Sequence, residues 1–279
     1  MKRLIHSKGA LMGLILLVLF VSVALGAQWL APHSPEEVFS ESLNLPPFWA
    51  DDAHQSHLLG TDDLGRDSLS RLIYGARVSL GVGALVVILS MIVGTALGLA
   101  AGYLGGWTDQ VIMRGVDVLM SLPSILLAIV VVAILGPGLM NGIIAVSIVA
   151  LPGFIRVVRA AVLTEKAKTY VDASICLGAS SWRISLFQIL PNCMAPIIVQ
   201  STLGFSDGIL NVAALGFLGM GAQAPTPEWG AMLSDSRAYI ESSPWLVMLP
   251  GLCILLVVLS FNILGDGLRD ALDPKLKGR

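Results

Sequence analysis

Charge is what this sequence most lacks. Only 13% of its 279 residues are Asp, Glu, Lys or Arg, about half the share in an ordinary soluble domain. The rest give a mean hydropathy of +0.81 and gather into long apolar runs, which excludes a soluble globular domain and points to a polytopic membrane protein. Cysteine is scarce as well. Cys176, Cys193 and Cys253 form no C-x-x-C pair, so neither a zinc site nor a disulfide framework is expected, and each reads as a small packing residue. The four histidines, His6, His33, His54 and His57, all lie outside the apolar runs. There is no basic tract suited to nucleic acid. The phosphate-cradling pattern G-x-x-x-x-G-K-S/T is missing too, so the chain has no loop with which to hydrolyse ATP.

The apolar runs number six. The first is Ala10 to Ala31, behind a short basic start carrying Lys2, Arg3 and Lys8. It is longer than the apolar part of a signal peptide, so it reads as an uncleaved span despite the small residues at Ala24-Leu25-Gly26. Val78 to Tyr103 is the second, with Gly94, Gly98 and Gly102 on one helix face for close approach of another helix. Val111 to Leu135 is the third, kinked at Pro123, with Arg114 and Asp117 as an i, i+3 pair near its start. After the tight turn Gly136-Pro137-Gly138 comes the fourth, Leu139 to Ile155. The fifth is Cys193 to Leu215, with a break at Pro196, and the sixth is Trp245 to Leu264. The domain reading is therefore 1–31 for the N-terminus and first span, 32–77 for an outward loop, 78–266 for the transmembrane core, and 267–279 for a tail. Within the outward loop, Leu69, Leu72, Ile73 and Ala76 suggest a surface helix capped by Asp67.

Six spans put both termini on one side. Of the 17 basic residues, 13 fall on that side together with the 156–191 loop, so the positive-inside rule makes it cytoplasmic. That loop is the main polar interruption of the core. In it, Tyr170, Ala173 and Leu177 recur at helical spacing, Gly178 is placed for a left-handed C-cap, and Ser180 or Ser181 can start a second helix. Trp182, Ile184, Phe187 and Leu190 would give that second helix an apolar side, and Pro191 would close it.

Three other patterns carry possible chemistry. Gly204-Phe205-Ser206-Asp207-Gly208 matches the G-x-S-x-G nucleophile elbow, but it sits inside a helical run with no histidine base. His54 and His57, flanked by Asp51, Asp52, Asp62 and Asp63, could hold a metal, although a solvated acidic loop explains them as well. Asp207 and Asn211 stand one helical turn apart within the fifth span, where polar groups either line a pathway or pair with another helix.

Asp172-Ala173-Ser174, three residues, Gly178 and then Ile189-Leu190-Pro191 resemble the EAA loop of ATP-binding-cassette importer permeases, with Asp for the usual Glu and Ser for the second Ala. Leu59 to Asp67 (LGTDDLGRD), Ala214 to Gly221 (ALGFLGMG), Pro225 to Gly230 (PTPEWG) and Gly265 to Pro274 resemble the dipeptide, oligopeptide and nickel group of that family, above all its second, C-type permease. The resemblance implies an all-α, six-helix, MetI-like permease of type I importers in the bacterial inner membrane, passing dipeptides or short peptides inward. It implies a sister permease, two ATP-binding subunits, a periplasmic peptide-binding protein and a lipid surround as partners, with ATP bound only by the partner subunits and no cofactor or metal in this chain. Tyr170, Asp172, Ala173, Ser174, Leu177 and Gly178 would form the coupling helix seated in an ATPase groove. A nickel or metal-chelate permease and an ATP-independent secondary transporter remain as alternatives, although the internal repeat expected of the latter is not evident.

Overall fold

The computed structural model describes residues 8–50 and 54–272. The regular structure among its described residues is helical, with a single isolated bridge, Thr61 to Asp67, and no strand. In chain order the helices are α1 Lys8–Leu25, α2 Ala27–Leu30, α3 Ser68–Leu104, α4 Gly106–Met120, α5 Ser124–Leu135, α6 Leu139–Lys166, α7 Thr169–Cys176, α8 Ser181–Ile184, α9 Met194–Phe217, α10 Trp229–Asp235 and α11 Trp245–Leu272. Four of them, α3, α6, α9 and α11, are long and apolar enough to cross a bilayer. The pair α4–α5 would add a fifth, and the apolar stretch of α1 is shorter. Each of the six expected runs is thus helical. A helix satisfies its backbone groups within its own segment, as a hydrocarbon surround requires.

The most extensive packing joins α3 to α6. A β-carbon on Gly94 would lie 2.5 Å from Phe154 Cβ, one on Gly98 2.8 Å from Val158 Cβ, and one on Gly102 2.8 Å from Val162 Cβ. The glycine stripe expected to admit another helix does so along its length. Three clusters of buried side chains follow the bundle from end to end. Trp229, Leu72, Ile209 and Val257 fill the α10 end, Val86, Val132, Ile143 and Leu215 the middle, and Val158, Val162, Val171 and Ile197 the α7 end. Outside these, Ile92, Ile134, Leu255 and many similar side chains are exposed. That apolar surface suits a lipid or subunit surround.

Several expected boundaries differ. The surface helix over 69–76 is not separate. It is the start of α3, which runs unbroken through position 77, because no residue there interrupts the hydrogen-bond ladder and Asp67 caps the whole helix. Pro123 does more than kink the third run, for α4 and α5 meet at 95°. Pro152 sits inside α6, which continues to Lys166, so positions 156–166 are helix rather than loop. Pro196 lies in the first turn of α9, where a missing N–H costs nothing, and so makes no break. Asp117 pairs with Arg156 of α6 at 3.0 Å instead of with Arg114. Lys2, Arg3, Asp51, Asp52, Lys275, Lys277 and Arg279, used in the charge and metal readings, lie outside the described residues.

Candidate functional site

α7 projects from one end of the bundle and is held by a single buried side chain, Val171, which packs among Val162, Ile184, Ile189 and Ile197. Its end closes as the sequence suggests. Gly178 adopts φ +77°, the Gly178 N–H donates to Ile175 O at 2.9 Å, and the Ala179 N–H donates to Ser174 O at 3.1 Å. These two bonds make a Schellman cap. Ser174 Oγ donates to Tyr170 O at 3.0 Å. The Tyr170 hydroxyl donates to Glu165 Oε2 at 3.0 Å, which ties the start of α7 to the end of α6. Burial, and then the bond to Glu165, push the Tyr170 hydroxyl above its ordinary pKa.

The outer side of this region is apolar. Ile175, Trp182 and Phe187 are all exposed, and Leu177 is 88% exposed. Asp172 and Ala173 are exposed beside them. The expected apolar side of the second helix is therefore divided. Ile184 is buried, whereas Trp182 and Phe187 face outward. Ser180 takes the N-cap position without a side-chain bond. Pro191 does not close the segment, because a π-helical turn, Ser185–Ile189, widens the backbone ahead of it and the chain turns on into α9. Cys176, expected as a packing residue, is exposed.

Asp207 is exposed on α9, and Asn211 is half-buried one turn on, its amide donating to the Asp207 backbone carbonyl at 2.7 Å. Gln200 and Leu203 share that helix face and also line a groove of about 700 Å³ between α6, α9 and the end of α11, with Ala161, Glu165 and Arg269. Ser206 is buried, and its Oγ donates to Val258 O at 3.3 Å. The serine is a packing residue, and its flanking glycines lie against Phe154 and Val86.

At the opposite end, the acidic loop is built rather than solvated. Asp62 accepts from the Leu64 and Arg66 N–H groups and from Arg66 Nε at 2.6 Å, and it faces Arg71 at 3.5 Å. Both arginines also approach Asp235, the last residue of α10, at 3.5 and 3.7 Å. His57 Nδ1 lies 3.0 Å from Asp67, whose other oxygen caps α3 through the Ser70 N–H at 2.8 Å. His54 instead meets Ser56, so the two histidines do not converge. It is His33 whose ligand atoms lie within 4.8 Å of those of His57 and Asp67, in rings packed with Phe39.

Sequence reasoning missed the part played by Glu228 and Trp229. Glu228 caps α10 by accepting from the Gly230 and Ala231 N–H groups and from Ser79 Oγ, and burial raises its pKa. Trp229 is fully buried, and its Nε1 donates to Leu72 O at 3.1 Å. The signal was present in PTPEWG, a polar cap one residue ahead of a large aromatic.

Asp62→Ala leaves two buried arginines facing one partly exposed carboxylate. It is expected to cost about 3–5 kcal/mol, seen as a lower unfolding temperature of the detergent-extracted protein. Glu36→Ala, at an exposed position of the same loop, should leave that temperature unchanged.

An apolar helical bundle with its exposed apolar patch on a short capped helix outside the spans has the build of a transporter's membrane subunit. The chain belongs to the family described as binding-protein-dependent transport system inner membrane component, matched over residues 94–278. Residues 1–47 match the N-terminal TM domain of oligopeptide transport permease C. Over 98% of its length the chain is 56% identical to the di/tripeptide transport system permease protein DppC of Pseudomonas aeruginosa, covering 90% of that relative. It is 57% identical to the dipeptide transport system permease protein DppC of Escherichia coli, covering 98% of this chain and 91% of that one. The glutathione transport system permease protein GsiD of Pectobacterium atrosepticum is 44% identical over 99% of this chain and 90% of its own length. Among solved structures, an inward-facing MetNI methionine ABC transporter chain overlays with a TM-score of 0.60 at 20% identity, covering 74% of this chain and 97% of that one. The fold is MetI-like.

Proposed function

We propose that this chain is one of two sister permeases in a bacterial inner-membrane importer of dipeptides and short peptides, with its termini and α7 in the cytoplasm. ATP is bound and hydrolysed by two partner subunits, and a periplasmic protein delivers the peptide to the loops at the α10 end. The observation that carries the reading is the exposed apolar side of the α7 region, with Leu177, Trp182 and Phe187 out and Val171 in. An apolar patch of this kind outside the bilayer calls for a protein partner. Tyr170, Asp172, Ala173, Ser174, Leu177 and Gly178 then form the coupling element, which enters the ATPase groove, and Asp207 and Asn211 lie on the path. The relatives' names favour peptide over nickel, and the histidine pair that suggested metal does not form.

The test combines energy and orientation. The purified chain should show no ATPase activity. Activity should appear with the ATP-binding subunits and rise with loaded binding protein. In a Cys176→Ala background, Ser56→Cys should react with an impermeant thiol reagent in intact cells, and Arg183→Cys only after permeabilisation. Labelling of Arg183→Cys alone from outside would reverse the orientation, and hydrolysis that follows this polypeptide alone would overturn the assignment.

A further inference from the structure

Resting on the peptide-permease reading, we infer that Asp207 is the counter-charge for the α-ammonium group of the peptide in transit, and so sets what kind of molecule this permease passes. Three observations converge. Asp207 lies about 15 Å from the C-terminal end of α9 and about 20 Å from its start, by helical rise, well inside a helix long and apolar enough to cross a bilayer. Arg159, Lys166 and Arg269 sit nearer helix ends, and Arg156, which is as far from the end of α6 as Asp207 is from the end of α9, is paired with Asp117 at 3.0 Å. The Asp207 carboxylate is exposed, and no described residue gives it a hydrogen bond or an ion pair. A carboxylate held at that depth without a partner is costly unless it faces a water-filled cavity or a cation.

The helix face decides what kind of cation. Gln200, Leu203, Asp207 and Asn211 follow each other at helical spacing, so one face of α9, polar except at Leu203, runs from the groove between α6 and α9 up to the carboxylate. The groove volume of about 700 Å³ is of the size that takes a small organic molecule. Its inner end carries Arg269, a cation beside the route taken by a ligand with a terminal carboxylate. Peptides with a free amino terminus carry that ammonium in protonated form at neutral pH. A metal ion would need several converging oxygen or nitrogen ligands, and the stripe offers one carboxylate and two amides. A cation on the sister permease is the competing occupant.

The experiment pairs a residue change with a substrate change in the complete reconstituted complex. Uptake of a dipeptide is compared with uptake of its des-amino analogue, in which hydrogen replaces the ammonium group. Each rate is divided by the binding-protein occupancy measured separately for that ligand. In the wild type the dipeptide should pass at least tenfold faster per occupied binding protein. Asp207→Asn should lower dipeptide uptake by tenfold or more and change analogue uptake less than twofold, so that the preference collapses. Asp207→Glu should keep most of the preference. An equal fall for both ligands, or no fall for either, overturns the inference, as does loss of assembled complex in both variants, which would assign the carboxylate to the sister chain. If the wild-type complex takes up neither ligand, the permease reading itself fails, and that result is distinct from any outcome at Asp207.

Discussion

Gly98→Leu is expected to remove most of the folded protein from the membrane. A β-carbon at this position would lie 2.8 Å from the Ile155 carbonyl oxygen as well as from Val158, well inside the 3.5–4.0 Å or so at which carbon atoms rest. The obstacle is partly backbone, so a rotamer change cannot clear it. α3 and α6 would have to separate, and Gly94 and Gly102 would lose their contacts as well. Overpacking costs of about 1–3 kcal/mol assume that neighbours can shift, and here the neighbour is a helix. The check is the yield of monodisperse protein after detergent extraction, expected to fall by more than tenfold. Gly81→Leu is the matched control. It lies on the same helix, and a β-carbon there would meet nothing within 4 Å. Equal yields from the two variants would mean that the glycine stripe does not hold the bundle together.

Gly178→Val should have the opposite profile, with normal abundance and little transport. No atom lies within 4 Å of a β-carbon at this position, so the bundle is not disturbed. The cost is conformational. The φ of +77° penalises an L-residue by about 1–2 kcal/mol, and branching at Cβ adds to it. α7 has eight residues and little stability of its own, so that sum is enough to fray it and displace the exposed Leu177. Peptide uptake should fall by more than tenfold while the amount of assembled complex stays within twofold. Asp172→Ala should act in the same direction more weakly. Gly219→Val imposes similar strain at φ +75° in equally open space at the far end. If it reduces uptake as much as Gly178→Val does, the α7 cap has no special part in transport.

These two glycines were legible because each has a local signature. One is a spacing of four along an apolar run, and the other is a glycine just past a short amphipathic stretch. The Asp67 cap was legible for the same reason. What the sequence hid is long-range. An i, i+3 charge pair on one helix looks the same whether it closes on itself or, like Asp117, turns to Arg156 on another helix. Nothing in the acidic loop and the helix after it pointed to Asp235, which pairs with Arg66 and Arg71 from more than 160 positions away. The apolar side of the 182–190 segment was misjudged because periodicity counts apolar residues and does not say which of them meet the core. Trp182 and Phe187 meet no core and are left exposed.

The zipped pair α3–α6 has a mechanical consequence. At 37 and 28 residues the two helices are about 55 and 42 Å long, and their glycine contacts leave no slack between them. α3 begins at the Asp62–Arg71–Asp235 cluster, and α6 ends where Lys166 reaches the Tyr103 carbonyl, next to α7. Together they form a strut between the two ends of the bundle. A strut has no preferred direction. If binding at one end of it shifts affinity at the other, the reverse shift must be equal in free energy.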